Sequence, residues 1–419
     1  MTTSIRATAD SSAAQLYMGV EECWGDNPLS VSPQQVLTAV RFTGESLVHN
    51  QTTISSGEIR SDGQVTDHVR VGVGAAGDIN FELSYGTFDR FFEGALRNDW
   101  TDEIDINAPS SPNNPQTVTI GPGSPQNLAQ LSVAGSPSPL LNASVGRWIY
   151  VTGSTSSPSN DGFYRVTAND GDGLVTVTPS FSSAESGTNL RIRGSHLRNG
   201  TTKKSYMVAK VFSDLSPQEI LYFTGLRVGG TSFEITPGQI LTGTLSFLGK
   251  RGFAVSGAAN FPGLTSALEA PSGDVANAVD NVSNILLDGT ALDADLTTIN
   301  FAVNNNTRDK PAVANLGNID IGLGRFNLSG NVTMYFSSRT LYDKFLAATA
   351  HSFAFAVTVG SDAYVYNFPS IKFSNGAVIA EGNDGDVVAA MDYDARRDPT
   401  LGFTMSIDRF SNAVGADLS

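Results

Sequence analysis

The chain has 419 residues, 40% of them hydrophobic, which is enough apolar material for more than one folded core. Charged residues make up only 16%, against roughly 25% in ordinary soluble domains, and 42 glycines point to a turn-rich β protein. With 26 Lys and Arg against 41 Asp and Glu, the net charge of −15 repels phosphate and argues against direct nucleic-acid binding.

A lone cysteine, Cys23, cannot form an internal disulfide, and His49, His68, His196 and His351 stand far from any zinc-type spacing. The first residues lack a basic start followed by an apolar core, and no run of about 18 apolar residues occurs. A protein made in a cytoplasm, with no membrane span, is the expectation.

In chain order, strand signals begin at Val36. VLTAVRF, HVRVGVG and INFELSY, then SYMVAKVF, EILYFTGLRV and TLSFLG further on, are runs rich in Val, Ile, Thr and Phe bounded by Gly, Asn, Asp or Pro. They predict antiparallel sheet. Between the first of these runs, Thr43 to His68 is polar, mixed in charge and too long for a tight turn, so it is read as an arm that orders against a partner subunit. Gly72, Gly74 and Gly77 fit G-x-G-x-x-G, but the segment leads into a strand and not a helix, which removes the dinucleotide reading.

Helical spacing is confined to Thr87 to Leu96, Leu341 to Ala350 and, more weakly, Asp274 to Leu287. From Asp105 to about Leu190 the composition turns to Pro, Ser, Asn and Gly, and then gives GRWIYVTG, GFYRVTA, LVTVTP and NLRIRG. This reads as a small inserted β module whose core includes Trp148, Tyr150, Phe163 and Tyr164.

Carboxylates cluster at Asp99, Asp102, Glu103 and Asp105, at Asp293 and Asp295, and at Asp384 and Asp386. None matches a calcium loop, and the chain has no G-x-S-x-G elbow. Solvated loop acids are expected, with no catalytic residue, cofactor or metal.

The sequence also repeats itself. RVGVGAAGDINFELSYGTFDRFF from Arg70 lines up with DIGLGRFNLSGNVTMYFSSRTLYDKFL from Asp320, so that Gly77 meets Gly330, and Asp89 and Arg90 meet Asp343 and Lys344. LYFTGLRVGGTSF from Leu221 aligns without gaps with YNFPSIKFSNGAV from Tyr366, placing Phe223, Leu226, Arg227 and Val228 on Phe368, Ile371, Lys372 and Phe373. Two blocks in one order indicate a duplicated strand, hairpin, helix and strand unit. The expected division is 1–100 and 200–252 for the first copy, 101–199 for the insert and 253–419 for the second copy. Asp89, Arg90, Asp343 and Lys344 are either an exposed pair on each helix or contacts between adjacent copies.

The run Met18-Gly-Val-Glu-Glu-Cys-Trp-Gly-Asp-Asn-Pro28, followed by Phe42-Thr-Gly-Glu-Ser-Leu47, Ser56-Gly-Glu-Ile-Arg60 and Phe81-Glu-Leu-Ser-Tyr-Gly-Thr-Phe-Asp89, resembles the tail tube proteins (major tail proteins) of long, non-contractile-tailed bacteriophages, the siphophages. The likeness is dense over 15–100, extends over 205–250, reaches the second half through the repeat and does not cover the insert. Asp26 departs from the small polar residue more usual in the family.

The resemblance implies a mainly β fold of tandem duplicated tail-tube β-sandwich or barrel domains, each with a short flanking helix, plus the inserted small β domain. It implies a virion structural protein without catalysis, self-assembling into stacked rings through which the genome passes. Six tube domains per ring and two per chain would give a homotrimer. Implied partners are other copies of the chain, the tape measure protein, the tail terminator and baseplate proteins, with DNA sliding through unbound. The Thr43 to His68 arm would reach the neighbouring ring, making Glu45, Glu58, Arg60, Asp62 and Asp67 the stacking candidates. Alternatives are a tube-fold tail completion or baseplate hub protein, a glycoside hydrolase on a β scaffold, and a surface carbohydrate-binding β protein with Trp148 and Tyr150 as an exposed aromatic patch.

Overall fold

The computed structural model describes residues 8–26, 28–29, 36–107, 115–122, 129–133, 139–140, 143–157, 159–360, 362–380, 382–383 and 385–411. The described chain is mainly β, with two α-helices, α1 (Asp89–Leu96) and α2 (Thr340–Ala347).

One antiparallel sheet runs the width of the molecule. Its strands, in spatial order, are Gly44–Glu45 with Val48–Ser55, His68–Glu82, Thr242–Gly249, Glu219–Ile235, Leu296–Asn304, Asn327–Tyr335, Val387–Ala395 and Asp362–Ala380. Alternation along each strand sorts the faces. In Thr242–Gly249, Leu245 and Phe247 are buried while Thr242, Thr244 and Ser246 point the other way. The apolar face meets α1 and a core of stacked rings, with Phe81 4.1 Å from Phe88 and Phe233 4.8 Å from Phe301 between centroids.

The two halves pair their strands in the same sequence of steps. In the first half Ala14–Val20 pairs with Tyr206–Phe212, which pairs with Glu219–Ile235. That strand continues to Thr242–Gly249 and His68–Glu82. In the second half Val282–Leu287, His351–Val359, Asp362–Ala380, Val387–Ala395 and Asn327–Tyr335 follow the same path. The bulges coincide too: Tyr206/Val208 and Val228/Gly230 on one side, His351/Phe353 and Phe373/Asn375 on the other. At these bulges the two longest strands bend from the wide sheet into an outer one.

Phe247 stands opposite Gly77, as Tyr393 stands opposite Gly330. Both glycines are forced by close backbone approach, since a Cβ at Gly77 would lie 2.4 Å from the Ser46 carbonyl oxygen and one at Gly330 2.4 Å from that of Asn300.

Two of the three expected helices form. α2 stops where Ala348 adopts a left-handed conformation at φ 51. The helix expected over Asp274 to Leu287 does not form: Val282–Leu287 is a strand on the edge of His351–Val359, because that sheet edge satisfies its backbone. Between Thr101–Ile106 and Arg191–Arg198 lies a β module with its own core of Ile104, Val118, Leu131, Ile149, Val166, Val175 and Ile192, among others. It is fastened to the second half where Arg191–Arg198 pairs with Ser406–Phe410.

Candidate assembly surfaces

α1 is buried on nearly every side, because the second half of the chain lies against it. Asp89, 1% exposed, accepts a hydrogen bond from Arg409 Nη1 at 2.7 Å and another from the Tyr364 hydroxyl. The Arg409 guanidinium also lies 4.6 Å from the Trp100 ring. Burial and the Asp89 charge push the Tyr364 hydroxyl well above its ordinary pKa, so it stays a donor. At the other end of α1, Arg97 reaches Asn305, whose side chain donates to the carbonyls of Ala95 and Val228 at 3.0 Å. The helix is thereby bolted across the two halves at both ends.

Its neighbour Arg90 points outward, 3.7 Å from Glu93, and its carbonyl accepts the Tyr206 hydroxyl. α2 is different. Only Leu341 is buried, and Leu346 is 63% exposed. Asp343 pairs with Arg339 at 3.1 Å, while Lys344 and His351 meet Asp288 at 2.5 and 2.8 Å. Although burial opposes it, hydrogen bonds from Lys344 and His351 hold the Asp288 carboxyl below its usual range. Of the four helix residues singled out in the sequence, Asp89 therefore spans the halves, Arg90 is partly solvated, and Asp343 and Lys344 bond within the second half.

The polar face of the wide sheet is concave, with a hollow of about 740 Å³ lined by Asn80, Ser232, Glu234, Asn300, Asp392 and Asp394 among others. By the same alternation Asp78 and Glu82 share this face. Lys372 stands opposite Asp394 in the register. No motif marks these acids. Their only signal in the sequence is position, between Met391 and Tyr393 for example, which face the core.

Val48–Ser55 and the start of His68–Glu82 form a projecting hairpin whose tip, 56–67, is solvent-exposed throughout except for Ser56. Within the tip Arg60 and Asp62 pair at 2.9 Å, which holds the Asp62 carboxyl below its usual range. The Glu58 amide donates to Ser56 Oγ, and the Asp67 carbonyl accepts the Ser56 amide. Glu45 stands apart at the base, 2.6 Å from Lys210. Ile54, Ile59 and Val65 are exposed on the arm.

Beside it the second half carries a shorter hairpin, Arg308–Pro311 with Asn318–Gly322, and the Val73 amide donates to the Leu316 carbonyl. Sequence reasoning passed over this hairpin, although Pro311, Asn315 and Gly317 are turn residues. At its base Asp320 meets Arg227, Lys203 and Lys310 at 2.8, 3.0 and 3.1 Å.

Trp148 and Tyr150 form no open aromatic platform. Trp148 packs among Ala354, Ala356, Ala363, Val365 and Phe410, and Tyr150 is half-buried 4.5 Å from Phe163 under the Arg193 guanidinium. The expectation of an exposed patch fails because these rings glue the insert to the second half.

The loop acids are dispersed: Asp99 pairs with Lys204 and Asp105 with Arg191, the Asp102 side chain and Asp384 lie outside the described residues, and Asp386 is exposed. Among the described residues no group of three or more His, Cys, Asp or Glu could hold a metal ion, and no helix is long and apolar enough to cross a membrane.

Compared with protein-family models, residues 11–395 match the one described as phage tail tube protein. Comparison with curated proteins finds no match.

Proposed function

Since the chain belongs to the phage tail tube protein family, structural proteins of the virion tail, we propose that three copies close into a ring and that rings stack into the hollow conduit for the genome. The observation that carries this reading is the wide sheet. It joins the two halves without a break and ends in an unpaired strand edge on each side, 375–380 at one end and 45–50 at the other. Such edges are hazards in a monomer and are removed by closure.

In this reading the chain is two tandem tube units, 1–100 with 200–252 and 253–419, interrupted by the insert at 101–199. A ring then holds six units from three chains. The concave face becomes the lumen, where Asp78, Glu82, Glu234, Asp392 and Asp394 repel DNA phosphates within a Debye length of about 8 Å. DNA slides past these acids without sticking. The helices and the insert lie on the outside. The arm tip, with Glu58, Arg60, Asp62 and Asp67, contacts the next ring, and the tape measure protein, terminator and baseplate meet the tube inside and at its ends.

Copy number tests the role. Quantitative mass spectrometry of purified virions should find this chain among the most abundant tail proteins. A handful of copies per virion would assign it to tail completion or the baseplate hub instead.

A further inference from the structure

The seam between the halves joins two segments that each have a counterpart at an end of the wide sheet. Within the chain 230–235 pairs antiparallel with 299–304, with Ser232 opposite Ala302 and Phe233 opposite Phe301. The matching bulges make Asn375 the counterpart of Gly230, so Ala377 and Val378 answer to Ser232 and Phe233. On the other strand Gly330 lies opposite Phe301, and its counterpart Gly77 lies next to Ala76, which pairs with Val48. Val48 and Leu47 therefore answer to Ala302 and Phe301.

Both counterpart segments have one edge unpaired. Among the described residues, 375–380 pair as a strand only with Val387–Ala395 and 45–50 only with His68–Glu82, while side-chain bonds tie Lys210 to the Leu47 carbonyl and to Glu45, and the Gly252 amide donates to the His49 ring. Val378, Ile379 and Val48 are left exposed there, although the equivalent Phe233 is buried in the finished seam. α2 is uncovered at the same end of the molecule, whereas α1 is covered by the half that follows it.

We propose that 375–380 of one chain adds to 45–50 of the next as an antiparallel strand, with Ala377 opposite Val48 and Val378 opposite Leu47. The occupant of each free edge is a second copy of this chain. The contact is head-to-tail, so repeating it closes a ring when the rotation per half matches the internal seam. The inference rests on the ring reading above and supplies its register.

Two measurements on the full chain test it. Hydrogen exchange of assembled against unassembled protein should show amides in 45–50 and 375–380 slowed at least ~10-fold on assembly. In a Cys23→Ser background, Val48→Cys with Ala377→Cys should oxidise to covalent multimers ending at a closed trimer, since opposite residues in an antiparallel pair lie within disulfide reach. Asn50→Cys with Ile379→Cys, about four residues or ~13 Å out of register, should not. Tubes that leave both segments unprotected would overturn this interface alone, even if the cysteine variants misfold. A chain that never assembles under any condition would overturn the tube reading beneath it.

Discussion

Arg409 donates to Asp89 across 2.7 Å, tying a strand from the end of the described chain to the first helix. Asp89 is buried and Arg409 is mostly so, and their pairing closes the contact between the two halves, with the Tyr364 hydroxyl on the other carboxylate oxygen. Removing one member of a buried pair leaves the other without compensation, at about 3–5 kcal/mol. Asp89→Asn should lower the unfolding free energy by about that amount in denaturant titration. Adding Arg409→Met should restore part of the loss, a non-additivity that an independent pair of sites would not show.

Glu21 gives a pH signature. Its carboxylate accepts amides from Gly25 and Gly225 at 2.8 Å, yet burial dominates and its pKa is pushed up to about 7 from 4.5. The folded state therefore holds a proton that the unfolded state releases between these values. Glu21's contribution is fully present below pH 4.5 and is lost as pH rises through 7, up to about 3 kcal/mol. Thermal melts should fall from pH 5 to pH 8, and Glu21→Gln should flatten that slope.

Gly77→Ala and Gly330→Ala should each cost about 2 kcal/mol or more, because the new methyl meets backbone at 2.4 Å. Gly57→Ala, in open space on the arm, should stay within about 0.5 kcal/mol. Denaturant midpoints read both.

Reversing charge on the concave face should make the lumen sticky. Tubes of Glu234→Lys/Asp392→Lys should retain a short DNA duplex in a pelleting assay, with retention falling steeply as salt rises, whereas unaltered tubes retain none. Equal behaviour of both would remove the lumen-charge argument.

Replacing the arm tip 57–66 by two glycines should leave the fold intact and rings able to form, since the tip bonds only to itself and the hairpin below. Stacking should fail, so sedimentation should show ring-sized particles where the full chain gives long tubes. Tubes of normal length would free the arm from the stacking role.

Local chemistry made part of this architecture legible. The apolar spacing over 87–96 and 341–350 named both helices, and the match of Gly77 with Gly330 located the two strands where backbone crowds backbone. Asp274 to Leu287 misled because its spacing suits a helix, while a neighbouring sheet edge rewards a strand. The partner of Asp89 lies 320 residues away, beyond any local pattern. Alternation shows that Trp148 and Asp392 each face one side of a strand, but which side is covered depends on the insert and on sheet curvature, which only the tertiary structure fixes.

The most direct test of the ring is electron microscopy of the purified protein at rising concentration, with averaged end-on views. End-on views should show hollow rings with threefold symmetry and a six-lobed outline, two lobes from each chain. Sixfold rings, or filaments without a central channel, would contradict the three-chain ring.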